Sequence, residues 1–208
     1  MNKLGWYALL IAMCGDLLFS FLLSFGYKEY SNLTMSISAL GNPNSPVRLP
    51  FNIWMILEGL LFLISLPVFY KTYQSVARGL TITTLIFIAI FAIGACVFTG
   101  FFSVNETKDV VTTASKIHGA SSTLGFMLFL FVPLLTGILC FKGQDSAQGV
   151  ICIICFIISL VFFTLFVMSD KPAFANTIIS YEGLWQRLNL LFMYAPLGVI
   201  AIKNLSYP

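Results

Sequence analysis

Met35 to Glu58 reads MSISALGNPNSPVRLPFNIWMILE, the longest polar interruption in a chain that is otherwise of membrane-grade hydrophobicity. It holds three of the eight prolines, then Arg48, and ends on Glu58, a carboxylate inside an apolar run. The stretch is therefore a loop that turns into a helix, and apolar runs of the same kind recur on both sides of it.

Composition sets the class. The chain is 59% hydrophobic and 9% charged, with a mean hydropathy of +0.94. A soluble domain carries about 25% charge, so these residues cannot build a water-facing surface. Twenty-one Phe against eleven Lys and Arg point the same way. The net charge of +3 is too small and too scattered for nucleic acid.

Outward from the loop, the apolar segments are Leu4–Gly26, Phe51–Tyr70, Leu80–Phe102, Ile117–Phe141, Gly149–Met168 and Gly183–Ile202. Each approaches the roughly 20 residues that cross about 30 Å of hydrocarbon as a helix. The expected fold is all-α: one polytopic membrane domain over residues 1–208, a bundle of six transmembrane helices with both termini on one side. The first run follows Lys3 and continues to Phe25 without an A-x-A site, so it reads as an anchored helix rather than a signal peptide. Lys3, Lys71, Arg78, Lys142 and Lys203 mark the side with tight connections, Lys71–Gly79 and Lys142–Gln148. The other side holds six basic residues in longer loops, among them Lys28, Lys108 and Lys171, with Arg48, Lys116 and Arg187 at or inside helix ends. Loop length and placement orient the chain with N- and C-termini inside. The long loops Tyr27–Pro50, Ser103–Lys116 and Ser169–Glu182 then share the outer face, where they form either a lid over a site or three solvated connectors.

The five cysteines, Cys14, Cys96, Cys140, Cys152 and Cys155, all fall inside the expected spans, so no disulfide framework is implied. Cys152-x-x-Cys155 lacks a neighbouring His and reads as packing rather than metal binding. Two sequons, Asn32-Leu33-Thr34 and Asn105-Glu106-Thr107, lie in outer loops. Pro67, Pro133 and Pro196 fall in the inner halves of the second, fourth and sixth spans. There they either kink the helices and shape a cavity or are simply tolerated.

The polar residues inside the apolar runs are the candidate site. Asp16 lies ten residues from Gly26, roughly 15 Å down, and Glu58 seven residues from Phe51, roughly 10 Å down. A charge at such depth costs at least about 2.5–3.5 kcal/mol, so these acids turn inward, pair or take up a proton. Asp16, Ser20 and Ser24 form one stripe climbing toward the outer loop. Each acid serves either function or helix packing by a cross-helix hydrogen bond. His118, the only histidine, opens the fourth span beside Ser121 and Ser122 and is the acid–base candidate; the other reading is a hydrogen-bonded helix end. Arg187, four residues into the last span, pairs with a buried acid, snorkels, or clamps a phosphate. Arg48 and Asn42 of the outer loop complete the candidate binding set. No metal and no cofactor are expected.

Ile37-Ser38-Ala39-Leu40-Gly41 with Ser45-Pro46, Lys116-Ile117-His118, and Gly183-Leu184-Trp185-Gln186-Arg187 together carry a likeness. The chain resembles an uncharacterised bacterial family of six-helix membrane proteins, described as a domain of unknown function. It is more distantly similar to the Frag1/DRAM/Sfk1 group of eukaryotic membrane proteins, which is associated with glycolipid-anchor remodelling, lipid organisation and autophagy. The resemblance implies attention to Ser38, Gly41, Pro46, His118 and Arg187, and supplies no reaction.

Two functional readings follow. In one, the protein is an enzyme acting on a lipid or glycolipid from the outer leaflet. His118 is its general base, Ser38 or water the nucleophile, and Arg187 and Arg48 the phosphate clamps, with Asp16 or Glu58 orienting the imidazole. In the other it is a non-enzymatic lipid-binding protein, or a small-molecule or ion carrier built on Asp16 and Glu58. Membrane lipids are the expected partners in both.

Overall fold

The structure, a computed structural model, describes residues 3–105 and 111–206. Glu106, Lys108, Asp109, the rest of the second sequon and the middle of the second outer loop lie outside the described residues.

Among the described residues all regular structure is helical. The helices are α1 (Leu4–Ser24), α2 (Arg48–Phe91), α3 (Phe98–Phe101), α4 (Thr113–Phe129), α5 (Val132–Lys142), α6 (Ser146–Ser169) and α7 (Glu182–Ser206). Short 3-10 turns stand at Ile37–Gly41, Pro172–Phe174 and Ile178–Ser180. Large apolar side chains such as Leu18, Ile64, Ile154 and Val161 are exposed around the outside, the reverse of a water-soluble fold.

Five helical stretches are long and apolar enough to cross a membrane, not six. The expected second and third spans run together as Arg48–Phe101, 54 residues long. The expected connection Lys71–Gly79 contains no proline, so α2 continues through it and breaks only at Ala77, which is extended (φ −160°, ψ 89°). Around that break the Thr81 hydroxyl donates to the carbonyls of Tyr73 (3.0 Å) and Ala77 (2.9 Å), supplying partners the interrupted helix lacks. The two halves lie side by side. A Cβ on Gly59 would meet Ala92, Val97 and Cys96, and one on Gly100 would meet Asn52 and Ile56. These small residues let the backbones approach closely. In the returning half, Ala92–Val97 is π-helical, continuous with α3.

Helix α4 starts one turn before the expected Ile117. Thr112 and Ser115 form a capping box in which the Thr112 hydroxyl accepts from the Ser115 N–H (3.2 Å) and the Ser115 hydroxyl from the Thr112 N–H (3.0 Å). The stretch Thr113–Lys142 is interrupted at Leu130 and Phe131, because Pro133 sits in the first turn of α5 and has no N–H to give. Pro67 and Pro196, by contrast, lie inside helices with no non-helical residue at those positions. The interruption has a consequence for packing. Helix α5 packs on α6 and α2, whereas α4 packs on α2 and the π-helical stretch and is not closely packed on α6.

At the opposite end Lys3 Nζ donates to the Leu205 carbonyl (2.9 Å), bringing the ends of α1 and α7 together. Lys203 pairs there with Asp145, which also caps α6 by accepting from the Gln148 N–H. That hydrogen bond from Lys203 holds the Asp145 carboxyl below its ordinary range. Mid-bundle, Phe62 and Phe91 from the two halves of α2, Phe129 from α4 and Tyr194 from α7 form one ring cluster. Its centroid distances run from 4.2 Å (Phe91–Phe129) to 6.3 Å (Phe91–Tyr194).

Candidate functional site

Above the ring cluster the bundle opens into a cavity of about 860 Å³. Its walls follow the helices turn by turn. On α2, Phe51, Met55 and Glu58 line it, and the next inward residue on that face, Phe62, belongs to the cluster. On α7, Gln186 and Leu190 line it and Tyr194 closes it; on α4, Ser122 and Phe126 line it and Phe129 closes it. The cavity thus ends on packed aromatic rings. Phe163, Phe166 and Val167 of α6 form a further, apolar wall.

Two acids sit in the lining near the closed end. Asp16 is 4% exposed, and its Oδ2 accepts from the Tyr194 hydroxyl at 2.8 Å. Glu58 is 0% exposed; the Cys96 thiol stands 3.7 Å from its Oε1, and its Oε2 has no hydrogen-bond partner. Among the described residues neither acid has an ion-pair partner. The Thr99 hydroxyl, also buried and lining the cavity, is likewise without a partner. The π-helical stretch presents Ala95 and Cys96 to this region, and Thr99 follows in α3.

At the other end the loop between α1 and α2 lines the cavity with Met35, Ser36, Ile37, Ser38 and Ala39. The loop is tied to α7. The Ile37 N–H donates to Gln186 Oε1 at 2.7 Å, and the Leu184 N–H to the Leu33 carbonyl at 3.0 Å. Arg187 donates through Nη1 to the carbonyls of Asn32 (2.9 Å) and Gly183 (3.1 Å). Through Nη2 it donates to Asn32 Oδ1 (2.8 Å) and the Tyr30 hydroxyl (2.7 Å). Its guanidinium carbon also lies 5.8 Å from the centre of the Tyr30 ring. Tyr30 in turn donates to the Ser36 carbonyl at 3.1 Å. Burial pushes the Tyr30 phenol above its ordinary range, against the opposing pull of Arg187, so the hydroxyl keeps the proton it donates.

His118, on the first turns of α4, is buried in the wall, with Nδ1 2.9 Å from the Phe102 carbonyl. A carbonyl only accepts, so Nδ1 carries the proton and Nε2 holds the lone pair in the neutral ring. Lys116, two residues earlier, lines the same end.

Of the residues singled out from sequence, Asp16, Glu58, Ser38 and His118 share this one cavity. They are not hydrogen-bonded to one another: His118 is oriented by a backbone carbonyl, and the Ser38 hydroxyl lies 3.3 Å from that of Ser36. Arg187, Arg48 and Asn42 do not line the cavity. Arg187 spends both terminal nitrogens on the loop, and Arg48 is exposed at the start of α2. Asn42 shapes the turn, with Nδ2 donating to the Ala39 carbonyl (2.8 Å) and Oδ1 accepting from the Asn44 N–H (2.8 Å). Ser20 and Ser24 turn back onto their own helix, donating to the carbonyls of Asp16 and Phe21. Sequence reasoning missed Gln186, Tyr194 and Thr99. The first two were within reach, since Gln186, Leu190 and Tyr194 repeat every four residues on one face of α7. Thr99 carried no such signal, because the π-helical stretch before it shifts the register.

Long apolar helices with an apolar exterior mark the chain as a helical membrane protein. A family model described as Protein of unknown function (DUF998) matches residues 10–203, and the chain belongs to that family. No curated protein and no solved structure matches it.

Proposed function

We propose that this is a protein of the cell membrane that takes a lipid or glycolipid into its cavity from the outer half of the bilayer. It crosses six times, with both termini on the cytoplasmic side. At 1.5 Å per residue, the 54 residues of Arg48–Phe101 would reach about 80 Å if straight, so the break at Ala77 makes two crossings of them. The observation that carries the functional reading is one cavity with two kinds of wall. Hydrogen-bonding groups (Ser36, Ser38, Lys116, His118) stand at the loop end, and Phe126 of α4 with Phe163 and Phe166 of α6 form an apolar wall. An amphiphile needs both surfaces, and two helices that are not closely packed on each other leave it a path from the lipid. The volume lies within the roughly 300–1,000 Å³ of small-molecule sites, which suits a head group and part of a chain.

Binding is favoured over chemistry because neither Ser38 nor either acid is hydrogen-bonded to the imidazole, so no activated nucleophile is assembled. An ion carrier on Asp16 and Glu58 is the second reading, favoured by the partnerless Glu58 Oε2. Against it, the ring cluster of Phe62, Phe91, Phe129 and Tyr194 occupies the way inward.

Native mass spectrometry of protein gently extracted from its membrane tests the proposal. The expected result is one retained amphiphile per chain, lost in Ser122→Trp, which fills the cavity, while that variant keeps its thermal stability. Wild type without a bound amphiphile, or Ser122→Trp retaining the same one, would overturn it.

A further inference from the structure

Charge gives the occupant its chemical class. Among the described residues, the carboxyls of Asp16 and Glu58 line the cavity without an ion-pair partner, and the one ammonium in the lining is that of Lys116. Both arginines expected to clamp an anion are elsewhere, Arg187 committed to the loop and Arg48 exposed. The imbalance is sharpest at the closed end. Two acids face the same pocket there, while Lys116 stands at the far end, at the start of α4. Glu58 Oε2 and the Thr99 hydroxyl, in side chains 0% and 4% exposed, have no partner. A buried polar atom without a hydrogen bond costs on the order of 1–3 kcal/mol, and the cost is relieved if a ligand supplies the partner. A cation placed there would hold the two carboxyls in their charged form, in which they and the hydroxyl accept its hydrogen bonds, whereas a phosphate would meet charged carboxyls with like charge.

Resting on the reading that the cavity takes an amphiphile, we infer that its closed end is a site for a positively charged amine. Glu58, Asp16 and Thr99 receive the amine, and the occupant's apolar part lies along the phenylalanine wall. The ligand class is an amine-bearing amphiphile rather than an anionic phospholipid.

The test uses the whole protein in an uncharged detergent and three single-chain probes: dodecylammonium, dodecyl phosphate and dodecanol. Saturable binding is followed by isothermal titration, with size exclusion checking each variant's fold. Dodecylammonium is expected to bind best. Its affinity should fall at least about tenfold in Glu58→Gln, the loss of one charge-assisted contact, and several-fold in Thr99→Val. Thr99→Val removes a hydroxyl that holds no other group, so it serves if Glu58→Gln fails to fold. If dodecylammonium and dodecyl phosphate bind equally, and neither variant matters, the amine site is overturned and the amphiphile cavity stands. If none of the three binds saturably, both fall.

Discussion

At the scale of single residues, the division of labour between Arg187 and Arg48 makes the sharpest claim. Arg187 holds three segments, the Tyr30–Asn32 loop, the start of α7 and, through Tyr30, the Ser36 carbonyl over the cavity. Arg187→Ala should therefore destabilise the protein by about 2–4 kcal/mol, several charged hydrogen bonds lost without additivity. Arg187→Lys should not restore it, since a single ammonium cannot reach four acceptors in a planar fork. Arg48→Ala, at an exposed position, should stay within about 0.5 kcal/mol. Thermal unfolding in detergent measures all three, and equal effects at both arginines would contradict the assignment. The sequence marked Arg187 as a charge early in the last helix but left its partners open, because Asn32 and Tyr30 lie 155 and 157 residues away. Burial cost alone picked out Asp16 and Glu58, and it was a sound guide to where they face. It could not say that Asp16 would meet Tyr194 rather than a cation.

At the scale of elements, helix ends and interruptions decide the shape of the cavity. Thr112 caps α4, and Thr112→Ala should cost about 1 kcal/mol in thermal unfolding. At the other end of the molecule, Asp145 caps α6 and pairs with Lys203 of α7. Its carboxyl is held below the ordinary value of 3.8, so its contribution is full above that pH and fades as the pH falls through the lower folded value. The stability advantage of wild type over Lys203→Met should accordingly be constant from neutral pH down to the ordinary carboxylate range and shrink below it. An advantage that grows on acidification would contradict the pairing. Hydropathy found the apolar runs but not these boundaries. The break at Ala77 has neither Pro nor Gly at its centre, and the capping box at Thr112 uses Ser115 in place of the usual Glu or Gln. Pro133 interrupts its stretch where Pro67 and Pro196 do not, a difference of tertiary context that three similar prolines in sequence do not display.

At the scale of the whole molecule, α1, α2, α4 and α7 each lend a polar or titratable residue to one cavity. The ring cluster closes the end away from Ile37–Gly41, and α4 and α6 are not closely packed along its side. The stretch Met35–Glu58 was legible as the break in the hydrophobicity. That its Ser38 and Glu58 share one cavity with Asp16 and His118 depends on packing between helices far apart in the chain, which no local pattern encodes. The claim that the cavity, and not merely the protein's exterior, holds an amphiphile is tested most directly by photocrosslinking in native membranes. A benzophenone amino acid is placed at Phe166, on the cavity wall, or at Val161, which is 54% exposed on the outside of the same helix. Position 166 should capture one defined lipid species, displaced by added dodecylammonium, while position 161 captures the mixture of the surrounding bilayer. The same mixture at both positions, undisplaced at either, would contradict the account.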